Sequence, residues 1–266
     1  GVPMELKINV IDAFTDKAFK GNSAAVIIVE DWLNDDLMQA IALENNLSET
    51  AFVKLIAPNS YEIRWFSPIT EIDFCGHATL AASFVIFNLY QDVKKINFYA
   101  KAVGNLSVTE QSNGYIEMIF PNKMPEIVND IPVALINGLS IKPQAVLLND
   151  QAYFVVYQDE LDVRSVQQNI EWIKQLAPFD VVVTAQSTKY DFISRYFWPA
   201  NGGHEDPVTG SIHSGLAPFW ASKLNKLDLV AFQASARGGK LLCSVKGDKV
   251  HISGKAVQYL EGIISV

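Results

Sequence analysis

The sequence predicts an α+β protein made of two similar halves, each a curled sheet around one buried helix. Two observations predict it. A polar, glycine-containing start leads into a helix that is apolar on every face, at 71–87 and again at 205–220. Strand-like segments surround both helices. Because a helix that is apolar all round must be enclosed by protein, each half needs a sheet to enclose its own helix.

Composition limits the kinds of partner. The 266 residues are 49% apolar and 19% charged, with a formal net charge of −8. This acidic balance disfavours nucleic acid and anionic membranes, which require clustered Lys and Arg. It leaves a small anionic substrate possible, because such a molecule responds only to its own pocket. The two cysteines, Cys75 and Cys243, form no CxxC motif, so we expect a cytoplasmic protein. No segment predicts a signal peptide or a membrane span.

The first half begins with alternating, β-rich residues and a turn. Asn34 is a suitable N-cap for a helix that continues to Asn45. The remaining segments are predicted strands at 7–13, 24–29, 50–53, 61–66, 96–101, 106–110 and 115–120. The turn at Ser67-Pro68 closes the 61–66 strand, and the buried helix follows it.

Three prolines in 121–132 indicate a linker, and the second half then repeats the order of the first. We therefore predict lobes at 1–120 and 125–266, the last strand being able to pack back on the first lobe. An amphipathic pattern predicts a helix at 166–176. Strands are predicted at 145–148, 152–157, 181–184, 192–197, 229–234, 240–245, 249–253 and 257–264.

Two acids lie at otherwise apolar junctions. Glu49 enters a strand, where a desolvated carboxyl has a raised pKa and can act as general acid and base; the alternative is a surface turn residue. Asp206 can be a second acid/base or can orient a substrate amine. Its alternative role is the N-cap of the following helix, because Asp-Pro commonly opens one.

The start of the first buried helix carries Cys75, Gly76 and His77. Gly76 allows a ligand close to the backbone, and free N–H groups at a helix start hold a carboxylate or phosphate. His77 can carry a proton or bind a carboxylate, and the alternative is a core histidine. Cys75 can be a thiolate base, because a helix N-terminus lowers a thiol pKa, or simply a small buried hydrophobe.

The second helix start carries Gly210 and Ser211, which can bind an oxyanion or merely begin the helix. His204 and His213 have no partner at a metal-ligand spacing. The chain contains no HExxH, no GxGxxG after a strand and no GxxxxGK[ST] motif. We therefore expect no metal, no nucleotide and no P-loop.

Six motifs spread over nearly the whole chain resemble those of the phenazine biosynthesis PhzF-like family, in the family's order. They are Gly21–Val26, Ser48–Phe52, Arg64–Pro68, Asp73–Ala81, Glu205–Ser211 and Arg237–Gly239. The resemblance implies a diaminopimelate epimerase-like fold, in which two lobes, each a β-barrel-like sheet around a central helix, share an active-site cleft. It also implies a cytoplasmic, cofactor-independent isomerase that is often a homodimer.

The same resemblance assigns roles to the candidate residues. Glu49 matches the family's catalytic acid/base, which moves a proton between carbons of the substrate, and His77 and Asp206 match residues that assist and orient it. Gly76, Gly210 and Ser211 match positions that hold the substrate, and we also predict that Asn22 and Cys75 bind it. The predicted substrate is a small carboxylate-containing metabolite.

Two alternatives stay open. In diaminopimelate epimerase and its relatives, two cysteines face each other across the cleft. Cys75 falls where the first would be, but Asp206 takes the place of the second, so an epimerase or racemase would need an unsymmetrical pair. The other alternative is a member of the family that binds a small molecule or protein without turnover.

Overall fold

The structure is a computed structural model, and it describes residues 2–266. By its internal contacts the chain divides into two compact units. Unit 1 contains the residues up to Ile119 together with Ser253–Val266, and unit 2 is Phe120–Ile252. The C-terminal strand therefore belongs with the N-terminal half of the chain.

The described chain contains eighteen strands and six α-helices. In chain order the elements are β1 (Glu5–Ala13), β2 (Asn22–Val29), α1 (Asp35–Asn45), β3 (Glu49–Ala57), β4 (Ser60–Phe66), β5 (Glu71–Ile72), α2 (Gly76–Leu89), β6 (Lys95–Ala100), β7 (Gly104–Glu110), β8 (Ile116–Pro121), β9 (Glu126–Ile127), α3 (Val133–Gly138), β10 (Ala145–Leu148), β11 (Ala152–Val156), α4 (Glu160–Ser165), α5 (Ile170–Ile173), β12 (Asp180–Gln186), β13 (Phe192–Phe197), β14 (Glu205–Asp206), α6 (His213–Leu224), β15 (Asp228–Gln233), β16 (Gly239–Lys246), β17 (Lys249–Gly254) and β18 (Ala256–Ser265).

The two units repeat one pattern of strand pairing. In unit 1, β1 pairs antiparallel with β2, β2 parallel with β3, β3 antiparallel with β4, β4 parallel with β6, and β6 antiparallel with β7. In unit 2, the strands β10, β11, β12, β13, β15 and β16 pair in the same order and with the same orientations. The predicted duplication is therefore present in the topology. In unit 1, β18 also pairs along the whole of β1.

A matching ion pair supports the duplication. Arg64 on β4 donates from Nε and Nη2 to both carboxylate oxygens of Glu71, at 2.7 Å each. Arg195 on β13 does the same to Glu205, at 3.2 and 2.8 Å. Both glutamates lie on the two-residue strand before the buried helix, so the repeat holds that strand with the same bidentate contact.

The two apolar helices are buried as the sequence predicts, with eleven of fourteen residues of α2 and nine of twelve residues of α6 inaccessible. A polar contact sets the position of α2 against its sheet, because Trp65 Nε1 on β4 donates to Thr79 Oγ1 at 3.1 Å. The α+β class, with strand-rich halves and central helices, is confirmed.

Helix α6 contains a proline in its interior. Pro218 has no N–H, so the carbonyl of Ser214, four residues earlier, lacks its usual helical donor. The backbone N–H of Lys123 donates to that carbonyl at 3.0 Å. The chain entering unit 2 therefore satisfies the group that the proline leaves exposed.

Two local predictions are wrong. The single helix predicted at 166–176 is instead two short helices, α4 and α5, followed by a 3-10 turn at Lys174–Leu176. Val166 ends α4, and the side chain of Asn169 accepts from Trp172 N to begin α5, which interrupts the helix. The predicted linker 121–132 contains β9, which pairs with β10 and so belongs to the sheet of unit 2.

Between residues 2 and 266, no helix has the length and apolar character needed to cross a membrane. The same residues contain no group of three or more His, Cys, Asp or Glu side chains arranged to hold a metal ion.

Candidate active site

Glu49 is the first residue of β3, half-buried, and lies in parallel register with Ala24 of β2. Phe52 packs with α1 on one face of this sheet. Because side chains alternate along a strand, Glu49 and Ala51 point to the opposite face, where α2 packs against β2 and β3. The carboxylate is therefore directed toward the central helix, and the surface-turn alternative is wrong.

The beginning of α2 places a thiol and an imidazole in contact. Cys75 is the N-cap, and Gly76 is the first helical residue. The Sγ atom of Cys75 lies 3.1 Å from Nδ1 of His77, and the ring of His77 also hydrogen-bonds to the main chain of Ser23. Burial lowers the pKa of His77 to about 4, so its imidazole is neutral at pH 7.

The start of β2 completes this end of unit 1. Asn22 is fully buried and lies opposite Ala13 of β1. The hydroxyl of Ser23 donates to Asp12 Oδ1 at 2.8 Å, and the N–H of Phe19 donates to Asp12 Oδ2 at 3.0 Å. Asp12 is 3% exposed, so it anchors the loop that leads to Asn22.

Five predicted site residues therefore lie at one end of unit 1, where the N-terminal ends of β2, β3 and α2 come together. They are Asn22, Glu49, Cys75, Gly76 and His77. Asp12 and Ser23 were not predicted, although a charged residue within the apolar segment 8–13 was a usable signal.

In unit 2, Asp206 lies at the end of β14 and accepts from the hydroxyl of Thr209 at 2.6 Å. Its main-chain carbonyl accepts from Gln233 Nε2 at 3.0 Å, and Gln233 Oε1 accepts from Thr209 N at 2.8 Å. Gln233 is fully buried and fixes the Asp206–Thr209 loop from beneath.

Ser211 is held by a chain of side chains that the sequence did not reveal. Gln151 Nε2 donates to Ser211 Oγ at 2.9 Å and to Tyr196 Oη at 3.2 Å. Tyr196 in turn donates to Asp180 through a short hydrogen bond. Burial raises the pKa of Asp180 and that of Tyr196, so this chain keeps Tyr196 as a hydrogen-bond donor at neutral pH.

The prediction that a helix starts at Gly210 is wrong. Residues 210–212 form a turn, and α6 begins at His213. The side chain of Asp206 bonds within its own loop and is not the N-cap, a position that Ile212 holds. His213 Nδ1 contacts the carbonyl of Thr209 at 2.8 Å, so the histidine links the helix to that loop.

The structure thus gathers the predicted residues into two clusters, one in each unit. The cluster in unit 1 holds Glu49 and the start of α2, and the cluster in unit 2 holds Asp206, Gly210 and Ser211. The cleft that the sequence predicts for the two lobes stays a prediction.

Comparison with known proteins decides the family. The model of the PhzC-PhzF family, described as phenazine biosynthesis-like protein, matches residues 11–262. The chain belongs to this family. A Pseudomonas aeruginosa relative in the PhzF family, named an uncharacterized isomerase, is 45% identical over 261 residues, which cover 98% of this chain and 99% of the relative.

Solved structures agree with this assignment. A PhzF-family phenazine biosynthesis protein of Enterococcus faecalis is 41% identical, with a TM-score of 0.93 over 99% of this chain and 100% of its own. A hydroxyproline epimerase from Agrobacterium vitis, 10% identical, has a TM-score of 0.62 over 98% of this chain and 93% of its own, which shows a shared fold alone. The predicted family and the epimerase-like fold are confirmed.

Proposed function

We propose that this chain is a PhzF-family isomerase that moves a proton within a small carboxylate-containing metabolite, with Glu49 as general acid and base. One observation carries the proposal. Glu49 is directed to the face of its sheet that α2 covers, at the end where α2 begins. A carboxylate at this position can receive a proton and return it in a water-poor environment.

The reaction balances without an external reagent. Glu49 removes a proton from one carbon of the substrate, and the electron pair left behind shifts through the adjacent double bond. The protonated Glu49, whose proton exchanges with solvent during turnover, then delivers a proton to a second carbon. Nothing is oxidised or reduced, and the carboxylate returns to its starting form, so the enzyme needs neither metal nor coenzyme for this step.

The start of α2 is suited to hold the substrate carboxylate. The first N–H groups of a helix have no partner within the helix, and the dipole places partial positive charge there. Gly76 leaves this backbone without a side chain in front of it. His77 is neutral, so its part is a directed hydrogen bond in the site, and the charge of a carboxylate is met by the helix start.

Solvent-deuterium incorporation tests the role of Glu49. A set of unsaturated and amino-substituted carboxylates is incubated with the enzyme in D2O, and mass spectrometry identifies the one that gains deuterium. We expect Glu49→Gln to reduce that incorporation roughly 10³-fold, within the usual range for a general acid/base. Substrate binding, measured by calorimetry, should survive because the amide keeps the size of the carboxyl.

Glu71→Gln is the matched control, because Glu71 is also a glutamate of unit 1 and its side chain bonds to Arg64. It should keep the wild-type rate of incorporation. Full activity in Glu49→Gln would contradict the proposal, and a ligand that stays bound and unchanged with the wild-type protein would favour a binding protein without turnover.

A second candidate is an amino-acid epimerase or racemase that uses Cys75. The observation in its favour is the 3.1 Å contact between Cys75 Sγ and His77 Nδ1, because an imidazole can accept the thiol proton. Cys75→Ser would then abolish turnover. Cys243→Ser, at the other buried cysteine, is the control and should leave turnover unchanged.

The proposal also includes a homodimer in the cytoplasm that works without a cofactor on a small molecule. Light scattering of the purified protein measures the oligomeric state. Dialysis against EDTA measures any need for a metal ion, and deuterium incorporation at the untreated rate is the expected result.

A further inference from the structure

A cavity of about 690 Å³ lies in unit 1 at the C-terminal end of α2. It is lined by residues of β1, β2, the β3–β4 hairpin, α2 and β18, among them Asn9, Tyr61, Val85 and Leu89. Since α2 has fourteen residues, its two ends are about 20 Å apart at 1.5 Å per residue. The cavity is therefore separate from Glu49 and the start of the helix.

Two buried polar side chains open into this cavity. Asn9 is 7% exposed and Tyr61 is 5% exposed. Over residues 2–266, neither the amide of Asn9 nor the hydroxyl of Tyr61 hydrogen-bonds to another protein group. Burial, with Tyr90 nearby, raises the pKa of Tyr61, so its hydroxyl stays neutral. Both side chains line the cavity, so a ligand in it can hydrogen-bond to their polar atoms.

The charges around the cavity favour a cation. Glu30 and Glu261 line it together with one lysine, Lys7, which pairs with Glu261 at 2.6 Å. Because Lys7 and Glu261 offset each other, the carboxylate of Glu30 gives the lining of the cavity a net negative charge. The C-terminal end of a helix carries partial negative charge, and the last turn of α2 has no basic residue to offset it.

Apolar side chains also line the cavity, and they can contact the apolar part of a ligand. Ile28, Leu55, Val85 and Leu89 are apolar and line the cavity together with Asn9 and Tyr61. A cavity with apolar walls, a few convergent polar groups and this volume has the usual character of a small-molecule site.

We propose that this cavity binds a small organic ammonium ion, with its apolar body against Val85 and Leu89 and its NH3+ group toward Asn9, Tyr61 and Glu30. The ammonium donates to the Asn9 amide oxygen and the Tyr61 oxygen, and Glu30 supplies charge. This second site is independent of the proton-transfer reaction.

The test uses 2-phenylethylammonium as the probe and the full chain labelled with 15N. We expect saturable NMR shifts for the side-chain amide of Asn9 and the backbone of 85–90. 2-Phenylethanol, which has a similar size without the charge, should bind at least tenfold more weakly. 3-Phenylpropanoate, an anion of similar size, should not bind at this cavity.

Two conservative variants and two controls locate the binding. Tyr61→Phe removes only the hydroxyl and Glu30→Gln only the charge, and each should raise the Kd at least threefold. Glu44→Gln, on the exposed face of α1, should leave the Kd unchanged. Glu49→Gln should also leave it unchanged, which separates this site from the proposed reaction.

Three results would overturn the inference. Equal affinity for the ammonium and the alcohol would remove the role of charge. Unchanged Kd values in both Tyr61→Phe and Glu30→Gln would place the probe elsewhere, as would shifts confined to residues outside the cavity.

Discussion

The two units share one strand topology but differ in the residues that precede the central helix. In unit 1 the helix starts directly at Gly76, and its histidine contacts a thiol. In unit 2 a three-residue turn separates Asp206 and its loop from the helix, and the ring of His213 lies next to Phe192, which stacks on Trp220. The strand order and the two-residue strand with its Arg–Glu pair repeat, whereas the segment between that strand and the helix does not. The two units therefore share their strand arrangement but carry different side chains near the start of the central helix.

The largest expected difference between the units is catalytic. If Glu49 carries the proton, Glu49→Gln reduces deuterium incorporation roughly 10³-fold. Asp206 bonds to Thr209 and is assigned an orienting role, so Asp206→Asn should cost only about 10-fold, mainly through a raised KM. Steady-state rates with the substrate found by the D2O screen measure both. Equal losses would show that the two acids act as a pair.

The central helices should differ in their tolerance of proline. Ala81 and Pro218 are each the sixth residue of their helix. Ala81→Pro should destabilise the protein by about 3 kcal/mol, because it removes a helical bond and clashes with the preceding turn. Pro218→Ala should change stability by less than about 1 kcal/mol, because Lys123 already satisfies the Ser214 carbonyl. Urea unfolding measures both variants, and a tolerated Ala81→Pro would contradict this comparison.

Both buried histidines should make the protein sensitive to acid. Burial lowers the pKa of His77 and of His213 to about 4, against 6.5 in an unfolded chain. Between these values the unfolded chain binds more protons, so stability falls as the pH falls from 6.5 toward 4. Each histidine contributes about 2 kcal/mol of this loss between pH 7.5 and pH 5.

The histidine prediction is checked by urea unfolding at pH 7.5 and at pH 5. His213→Phe should reduce the difference between the two pH values by about 2 kcal/mol. His204→Gln, at an exposed position, should preserve the full difference. A variant His213→Phe with the wild-type difference would show that this histidine is protonated in the folded protein.

The smallest expected contrast concerns the repeated ion pairs. Arg195 and Glu205 have side chains 15% and 25% exposed, against 25% and 41% for Arg64 and Glu71. Arg195 Nη1 also donates to the carbonyls of Val163 and Val166, at 3.0 and 2.7 Å. We expect Arg195→Leu to cost about 2 kcal/mol and Arg64→Leu about 1 kcal/mol in urea unfolding. The reverse order would show that burial does not set the strength of this pair.

Local sequence patterns predicted most helices and strands but not the contacts between residues that are distant in the sequence. Periodicity and composition predicted both buried helices and most strands, because burial on every face is visible in residue type. The 166–176 helix failed because its apolar spacing is shared by two short helices joined at Asn169, whose side chain begins the second one. The Ser211–Gln151–Tyr196 chain could not be predicted, because its members are far apart in the sequence.

Residue type and spacing were enough to predict the family, the α+β class, the doubled pattern and the acids and small residues of the two clusters. These features depend on residue type and spacing, which the chain carries at every position. The folded chain was needed to show that Glu49 is directed to the α2 face, that Asp206 bonds within a loop, and that Asn9 and Tyr61 line one cavity. Such facts depend on strand register and packing between distant segments, because one residue of register reverses the face on which a side chain lies.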